Sequence, residues 1–528
     1  MAGAVARGRL EEITSMGGSY WMVVHDAVRR RTVVAGDLAE QRGVFTAATG
    51  RGPVWATDAA LLAAQLGRGP DLELLAARIT VGTAEHWPRR SVWTSIERVP
   101  GGHALVLEDG AARTVDVRPR PDDRTLEEGA GEVGAALWAA SQGYARAAGP
   151  RVGADLSGGL DSSTVVIAAA EVCEILAVTY GGPLADGEDT QVARRVAEYV
   201  GAEHHVSSGG STTAHFSRWP QSVPALAGPA GVVVPAGCRL PATSAWGICP
   251  SPDRPRRRCG AGIVDGRVGR AHPGRADTTG EGSRDRPGPP GQHSAWPTVA
   301  GSEGRRTRTP ACPLPAAEAV GAGHLLGDGL RAWTWCQIGA AAQWLTAHGR
   351  QTVSAMLDES GQAAGDVNAG EWDDWAALRY NGSAMRDSMP LFAKHGVNEV
   401  SPFLDNEVVR ACPRIRAGKQ RRPGIYKPLL ALARPDLPAW LTGRQSKGHF
   451  TPLLYAGLRS SLPELHQVID TSALVEYGML DPAAVHTALD AAAAGIGRPP
   501  LPALENFLVS SWWLAHMMAP LTAAGGAR

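Results

Sequence analysis

Several protein classes are excluded by what this chain lacks. Its 528 residues include only four lysines (394, 419, 427 and 447), and 52 Lys+Arg balance 52 Asp+Glu. With no net charge there is no global field drawing it to nucleic acid or an anionic membrane. No run of about 18 apolar residues occurs, and the opening "MAGAVARGRLEEITSMGG" has no apolar core of signal-peptide length. A cytoplasmic chain without membrane insertion is expected. The seven cysteines (173, 238, 249, 259, 312, 336 and 412) show no C-x-x-C spacing, which argues against a thiolate zinc site and gives little reason to expect disulfides. The chain is 44% hydrophobic, enough for two or three domains with their own cores.

To about residue 120, period-2 runs alternate with turns: "YWMVVHDAVRRRTVVAG", "PVWATDAALLAAQL", "GGHALVLEDGAARTVDVRP". They predict a mostly β, layered domain with one or two helices. "RPRPDDRT" (118–125) reads as a linker. From 126 the pattern becomes βαβ: helix "GAGEVGAALWAASQGYARAAG", strand "RVGADL", helix "SSTVVIAAAEVC", strand "ILAVTYG", helix "DTQVARRVAEYVGA". That alternation implies a parallel sheet. From about 336 the chain reads as mainly helical, with amphipathic stretches such as "VNEVSPFLDNEVVRAC" and "PALENFLVSSWWLAHMM".

Residues 220–336 break this order. They hold 16 of the 38 prolines and five of the seven cysteines, with no Phe, Tyr, Met, Lys or Asn. Such a composition cannot offset the entropy of ordering, so 225–333 is expected to be irregular.

The sharpest chemical signal is "RVGADLSGGLDSSTV" (151–165). A strand runs into Ser157-Gly158-Gly159-Leu160-Asp161-Ser162-Ser163 and a helix begins there. The glycines allow a tight turn that aims backbone N–H groups and a helix N-terminus at one point, a place for phosphate. Three hydroxyls add donors, and Asp161 offers a hard carboxylate to Mg²⁺. There is no Gly-Lys-Ser/Thr, so this is not a Walker loop.

The string resembles the PP-loop of ATP pyrophosphatases, which place AMP on a carboxylate and leave pyrophosphate in the loop. "HGVNEVSPFLDNEVV" (395–409) narrows the resemblance to the asparagine-synthetase-like group, and 1–120 is similar to that group's amidotransferase domain. "RRPGIYKPLLALARPDLPAWLTGRQSKGHFTPLLYAGLR" (421–459) resembles the lasso-peptide cyclases in particular. The resemblance implies an α/β fold in which a PP-loop parallel-sheet synthetase domain (126–520) follows the amidotransferase-like domain. It implies ATP and Mg²⁺ as cofactors, and Leu156, Ser157, Gly158, Gly159, Leu160, Asp161, Ser162, Ser163 and Val178 as nucleotide-binding positions. Lys447, in "RQSKGHFT", is the implied catalytic cation beside Asp161, while Lys427 reads as structural because it opens a helix. Glu371, Asp373, Asp374 and Tyr380 are candidate bases. Glu399 ranks lower, one position off the group's acidic residue, where this chain has Asn398. Implied partners are a precursor peptide, a leader-peptide-binding protein and a leader peptidase.

Two departures matter. The group's amidotransferase nucleophile is a cysteine directly after the initiator methionine, but Ala2 follows Met1, so the N-terminal domain is expected to be structural or to dock a partner. A second acidic motif resembling T-G-x-G-G-D, the other Mg²⁺ ligand, is due about a hundred residues after Asp161 and is missing. "PDRPRRRCG" (252–260) can be encoded so that a one-base shift reads L-T-G-H-G-G-D-A. The expectation is that 225–333 is translated out of frame and that Arg256, Arg257, Arg258 and Cys259 have no function of their own. The alternatives are an ammonia-dependent asparagine synthetase and an inactive homologue.

Overall fold

A computed structural model describes residues 7–208 except 183 and 186, then 338–363, 369–420, 427–444 and 451–525. It also describes residues 3, 5, 216, 320 and 448 and the backbone of 261–264. The fold is α/β. Its first part holds two antiparallel sheets, one with the order β1 (Met22–Asp26), β2 (Arg31–Ala35), β6 (His103–Glu108), β7 (Ala111–Asp116). In the other, β3 (Val44–Thr49) lies between β4 (Gly52–Ala56) and β5 (Glu97–Val99). The β6–β7 hairpin shows how the sequence sets this. Asp109 and Gly110 both take positive φ, 50° and 76°, the turn that matches strand twist and that an Asp-Gly pair favours. Helices α1 (Ala59–Leu66) and α2 (Leu72–Val81) complete this part.

The second part is built on a five-stranded, all-parallel sheet. Its order is β10 (Glu203–Ser207), β9 (Glu174–Tyr180), β8 (Arg151–Asp155), β11 (Ala261–Val264), β12 (Val397–Val400). Helix α3 (Leu126–Ala148) leads in, started by a Thr125–Glu128 capping box. Helix α4 (Leu160–Ala170) joins β8 to β9, and α5 (Gly187–Val200) joins β9 to β10. Val152, Ala154, Val165, Val166, Ala177 and Val196 are buried in the core these elements share. The later helices are α6 (Ala347–Ala363), α7 (Ala369–Ala393), α8 (Asn406–Ala411), α9 (Pro428–Ala433) and α10 (Ala439–Thr442). They are followed by α11 (Thr451–Ser460), α12 (Leu462–Asp470), α13 (Ala473–Glu476), α14 (Pro482–Ala494) and α15 (Leu501–Gly525).

The sequence reading needs correcting at two places. "VNEVSPFLDNEVVRAC" opens not as a helix but as β12, because Val397 and Glu399 face inward while Asn398 points to solvent. That is period 2, and Pro402 then confines the chain to a single 3-10 turn before α8. Within 225–333, expected to be irregular, Ala261–Val264 forms β11 in the middle of the sheet. Val320 is fully buried. The rest of 225–333, including Arg256, Arg257, Arg258 and Cys259, lies outside the described residues.

The boundary near residue 120 is not a packing boundary. One hydrophobic core runs from Phe45, Leu74 and Ile79 to Phe507, Leu508 and Trp513, with Trp93 set edge-on to Trp513 at 5.4 Å between ring centres. Polar contacts reinforce the join. Leu38 N donates to Asn406 Oδ1 at 2.9 Å and Gly18 N to Asp405 Oδ2 at 2.7 Å. Arg98 bridges Glu40 (3.3 Å) and Glu85 (2.7 Å), while from α7 Arg379 reaches Glu85 (2.6 Å) and Arg386 reaches Glu40 (3.2 Å). Burying this many charges is tolerated only because each is paired. No helix among the described residues is long and apolar enough to cross a membrane.

Candidate active site

The loop 157–163 leaves β8 at the C-terminal edge of the sheet, where open parallel sheets bind ligands. Its entry is fixed by hydrogen bonds: Leu156 N donates to Val178 O at 2.9 Å, and the Thr179 hydroxyl to Leu156 O at 2.5 Å. Leu156 and Val178 thus contribute through backbone that the sheet already uses. Inside the loop, Ser157 Oγ lies 3.0 Å from Ser162 Oγ, and Ser157 N donates to Ser162 Oγ at 3.2 Å.

Gly158 has φ +72°, and a Cβ there would lie 2.2 Å from the Asp189 carbonyl oxygen in α5. Only glycine fits this approach. Helix α4 starts at Leu160 with Gly159 as its N-cap and no side chain capping it, so its first turn keeps donors for an anion. Ser163 Oγ is fully buried and has no hydrogen-bond partner. An unmet buried hydroxyl costs roughly 1–3 kcal/mol, and a bound phosphate oxygen is the kind of acceptor that would satisfy it.

Asp161 is nearly buried, and its Oδ2 is paired with Lys427 Nζ. Lys427 is the N-cap of α9 with φ +49°, a left-handed conformation that is uncommon for a residue with a side chain. The sequence reading of Lys427 as merely structural is therefore incomplete: it opens α9 as expected, but it also delivers an ammonium to the loop.

A second clamp went unnoticed in the sequence. Arg444 Nη1 donates to Gly158 O at 2.6 Å, its Nη2 pairs with Asp189 Oδ1, and Gly448 N donates to Asp189 Oδ2 at 3.1 Å. Both flanks of the segment 445–447 are thereby tied to Asp189 of α5, and Arg444 also to the turn at Gly158. Lys447 itself lies outside the described residues. Scarcity was the available signal for Lys427, one of four lysines; nothing local marks Arg444 or Asp189.

Glu371, Asp373, Asp374 and Tyr380 all sit on α7, which packs on β12 at the sheet edge and against the first part of the chain. Glu399, on β12, is buried and accepts from Ser388 Oγ at 3.2 Å. Burial raises the Cys173 thiol and pushes Cys412 up to about 12, so neither is a thiolate at neutral pH.

The residues present fit an adenosine triphosphate tail, with an uncapped helix start, an unmet hydroxyl and two flanking cations, Lys427 and Arg444. For Mg²⁺ the fit is narrower. Among the described residues no three His, Cys, Asp or Glu converge as ligands, so Asp161 would hold the ion with phosphate oxygens and water, a common arrangement for this metal.

Comparison with known proteins agrees with this geometry. No curated protein matches the chain. A family model described as asparagine synthase matches residues 137–217 and 299–518, more than half of the sequence. The second block begins at 299, earlier than the sequence resemblance, which resumes near 336. Together, a glycine-containing strand–loop–helix turn on a parallel sheet and this match show that the chain belongs to the asparagine synthase family of ATP-dependent, amide-forming ligases.

Proposed function

We propose that the protein adenylates the side-chain carboxylate of an Asp or Glu in a precursor peptide and closes a macrolactam with the peptide's own N-terminal amine. The observation that carries nucleotide activation is the loop itself, which sets a helix start without a side-chain cap beside the Asp161–Lys427 pair. The finer reading, a peptide substrate, rests on the likeness of 421–459 to lasso-peptide cyclases.

In the first step a carboxylate oxygen attacks the α-phosphorus, the bond to the α–β bridging oxygen breaks, and pyrophosphate leaves. The helix start and the serine hydroxyls hold the departing phosphates, and Lys427 and Lys447 supply positive charge. Mg²⁺, when bound, neutralises further phosphate charge. In the second step the amine attacks the acyl carbon, AMP leaves, and the amine proton passes to a base among Glu371, Asp374 and Tyr380. Holding both ends of one peptide together supplies the proximity that makes ring closure competitive with hydrolysis. The partners implied are the precursor peptide, a leader-peptide-binding protein and a leader peptidase, in the cytoplasm.

ATP–pyrophosphate exchange that depends on added carboxylate tests activation, and Asp161→Ala should abolish it; exchange surviving that change would remove Asp161 from its assigned role. Core peptide against aspartate plus ammonia separates the cyclase from an ammonia-dependent asparagine synthetase.

A second reading, an inactive homologue, is favoured by the single acidic motif. We further propose that the missing motif lies at 252–260 in a neighbouring reading frame. As written, those residues precede β11, whose last residue, Val264, is the one at the loop's edge of the sheet, beside Ala154; a motif following a strand would serve the site better. The coding DNA decides. If neither neighbouring frame reads T-G-x-G-G-D there, the frameshift proposal fails.

A further inference from the structure

Helices α12 and α14 carry the same short pattern, His466-Gln-Val-Ile-Asp470 and His486-Thr-Ala-Leu-Asp490. Spacing of i, i+4 puts each histidine and aspartate on one helix face, and the fully buried Ile469 and Leu489 help pack the two helices. The polar residues therefore meet along the rim, and they meet crosswise. His466 Nε2 lies 3.0 Å from Asp490 Oδ1, and His486 Nε2 lies 2.9 Å from Asp470 Oδ1.

A carboxylate can only accept, so both Nε2 atoms carry a proton, and in the neutral rings both Nδ1 atoms then present lone pairs. Those Nδ1 atoms are 2.6 Å apart. The 4.8 Å between ring centres is about that distance plus one ring radius on each side, so the nitrogens face each other nearly head-on. Two lone pairs so placed repel unless a cation lies between them. Imidazoles anchored by carboxylates at the far nitrogen are how proteins present histidine to a metal.

We propose that His466 and His486 form a binding site for a borderline divalent transition metal such as Zn²⁺, with Asp470 and Asp490 as positioning residues. Two bonds of about 2.0–2.1 Å at a tetrahedral angle need the nitrogens about 3.3 Å apart. Metal binding on this proposal requires the rings, about a quarter exposed (29% and 26%), to pivot on their carboxylate hydrogen bonds to that separation. With no third protein ligand converging among the described residues, water fills the remaining positions. The ion pins α12 to α14, away from the nucleotide loop.

Chelator-stripped full-length protein is dialysed against Zn²⁺, and Co²⁺ is used as a spectroscopic stand-in. The expected result is about one equivalent bound, a Co²⁺ visible band, and a thermal transition raised by Zn²⁺ and lowered by EDTA. His466→Ala and His486→Gln should each weaken binding by at least about 100-fold, and Asp470→Asn with Asp490→Asn by about 10–100-fold, with melting in EDTA checking that every variant is folded. Binding unchanged in the histidine variants overturns the proposal. So does a shared proton alone, seen as a bridging Nδ1 signal in ¹⁵N spectra that Zn²⁺ does not displace.

Discussion

Gly158→Ala perturbs the nucleotide loop at its tightest point. The residue's φ is +72°, and the added methyl would lie 2.2 Å from Asp189 O, 3.0 Å from its carbonyl carbon and 3.2 Å from its Cα. All three are backbone atoms, so no side chain can swing aside. A left-handed alanine costs roughly 1–2 kcal/mol, and pushing the start of α5 outward by about an ångström adds roughly 1–3 kcal/mol of overpacking. The total, about 2–5 kcal/mol, lowers the melting transition of a domain of this size by roughly 2–6 °C. Function should suffer beyond stability, because the moving helix carries Asp189 away from Arg444 and Gly448. Differential scanning calorimetry and the KM for ATP in pyrophosphate exchange read the two effects. Gly187→Ala is the control: it opens the same helix with nothing within 4 Å of its Cβ position and should melt with the parent. If Gly158→Ala also melts with the parent and keeps its KM for ATP, the close approach of loop and α5 is not a feature of the working protein.

Arg444→Met removes the hydrogen bond to Gly158 O and the pair with Asp189; losing charged hydrogen bonds worth about 1.5–3 kcal/mol should raise the KM for ATP by about 10–100-fold, and Arg444→Lys should restore only part because it lacks the fork. Burial pushes the Asp387 carboxyl up to about 6. Since the folded value lies above the unfolded one, the stability it contributes is present below pH 4 and lost as pH rises through 6. Asp387→Asn should therefore match the parent near pH 4 and exceed it above pH 7 by up to about 3 kcal/mol, read from melting curves across that range. Gly382→Ala would set a methyl 1.7 Å from Ala39 O across the join between the two parts, so its melting temperature should fall further than that of Gly158→Ala.

The sequence made the strand, loop and helix of 151–170 legible because local rules agree there: a short apolar strand, two glycines, then a helix-forming run. The hairpin at Asp109-Gly110 was legible for the same reason. The residues that complete the site were not, because their contacts are non-local. Arg444 and Asp189 are 255 positions apart, and Lys427 and Asp161 are 266 apart; neither pair has a periodicity that would announce it. β12 misled for a different reason. Four residues of alternating burial are too few to outweigh the amphipathic stretch that follows, and only pairing with β11 settles them as a strand.

The described half of the site comes from both sides of the unmatched stretch 218–298. Residues 157–163 and 187–189 precede it, whereas Lys427, Arg444 and Gly448 follow it. Among the described residues, the element that the stretch adds to the sheet is β11, which pairs through backbone atoms and so constrains its side chains little. A lesion confined to that stretch would therefore spare the turn at 157–163 and its clamps while removing the second carboxylate proposed above. On the inactive-homologue reading, a chain made as written would bind ATP without exchanging pyrophosphate, and a frame-restored chain, in which the exchange-based predictions are then read, would do both. Failure of the written chain even to bind ATP would place the damage in the fold itself and remove the distinction between a spared loop and a lost acid.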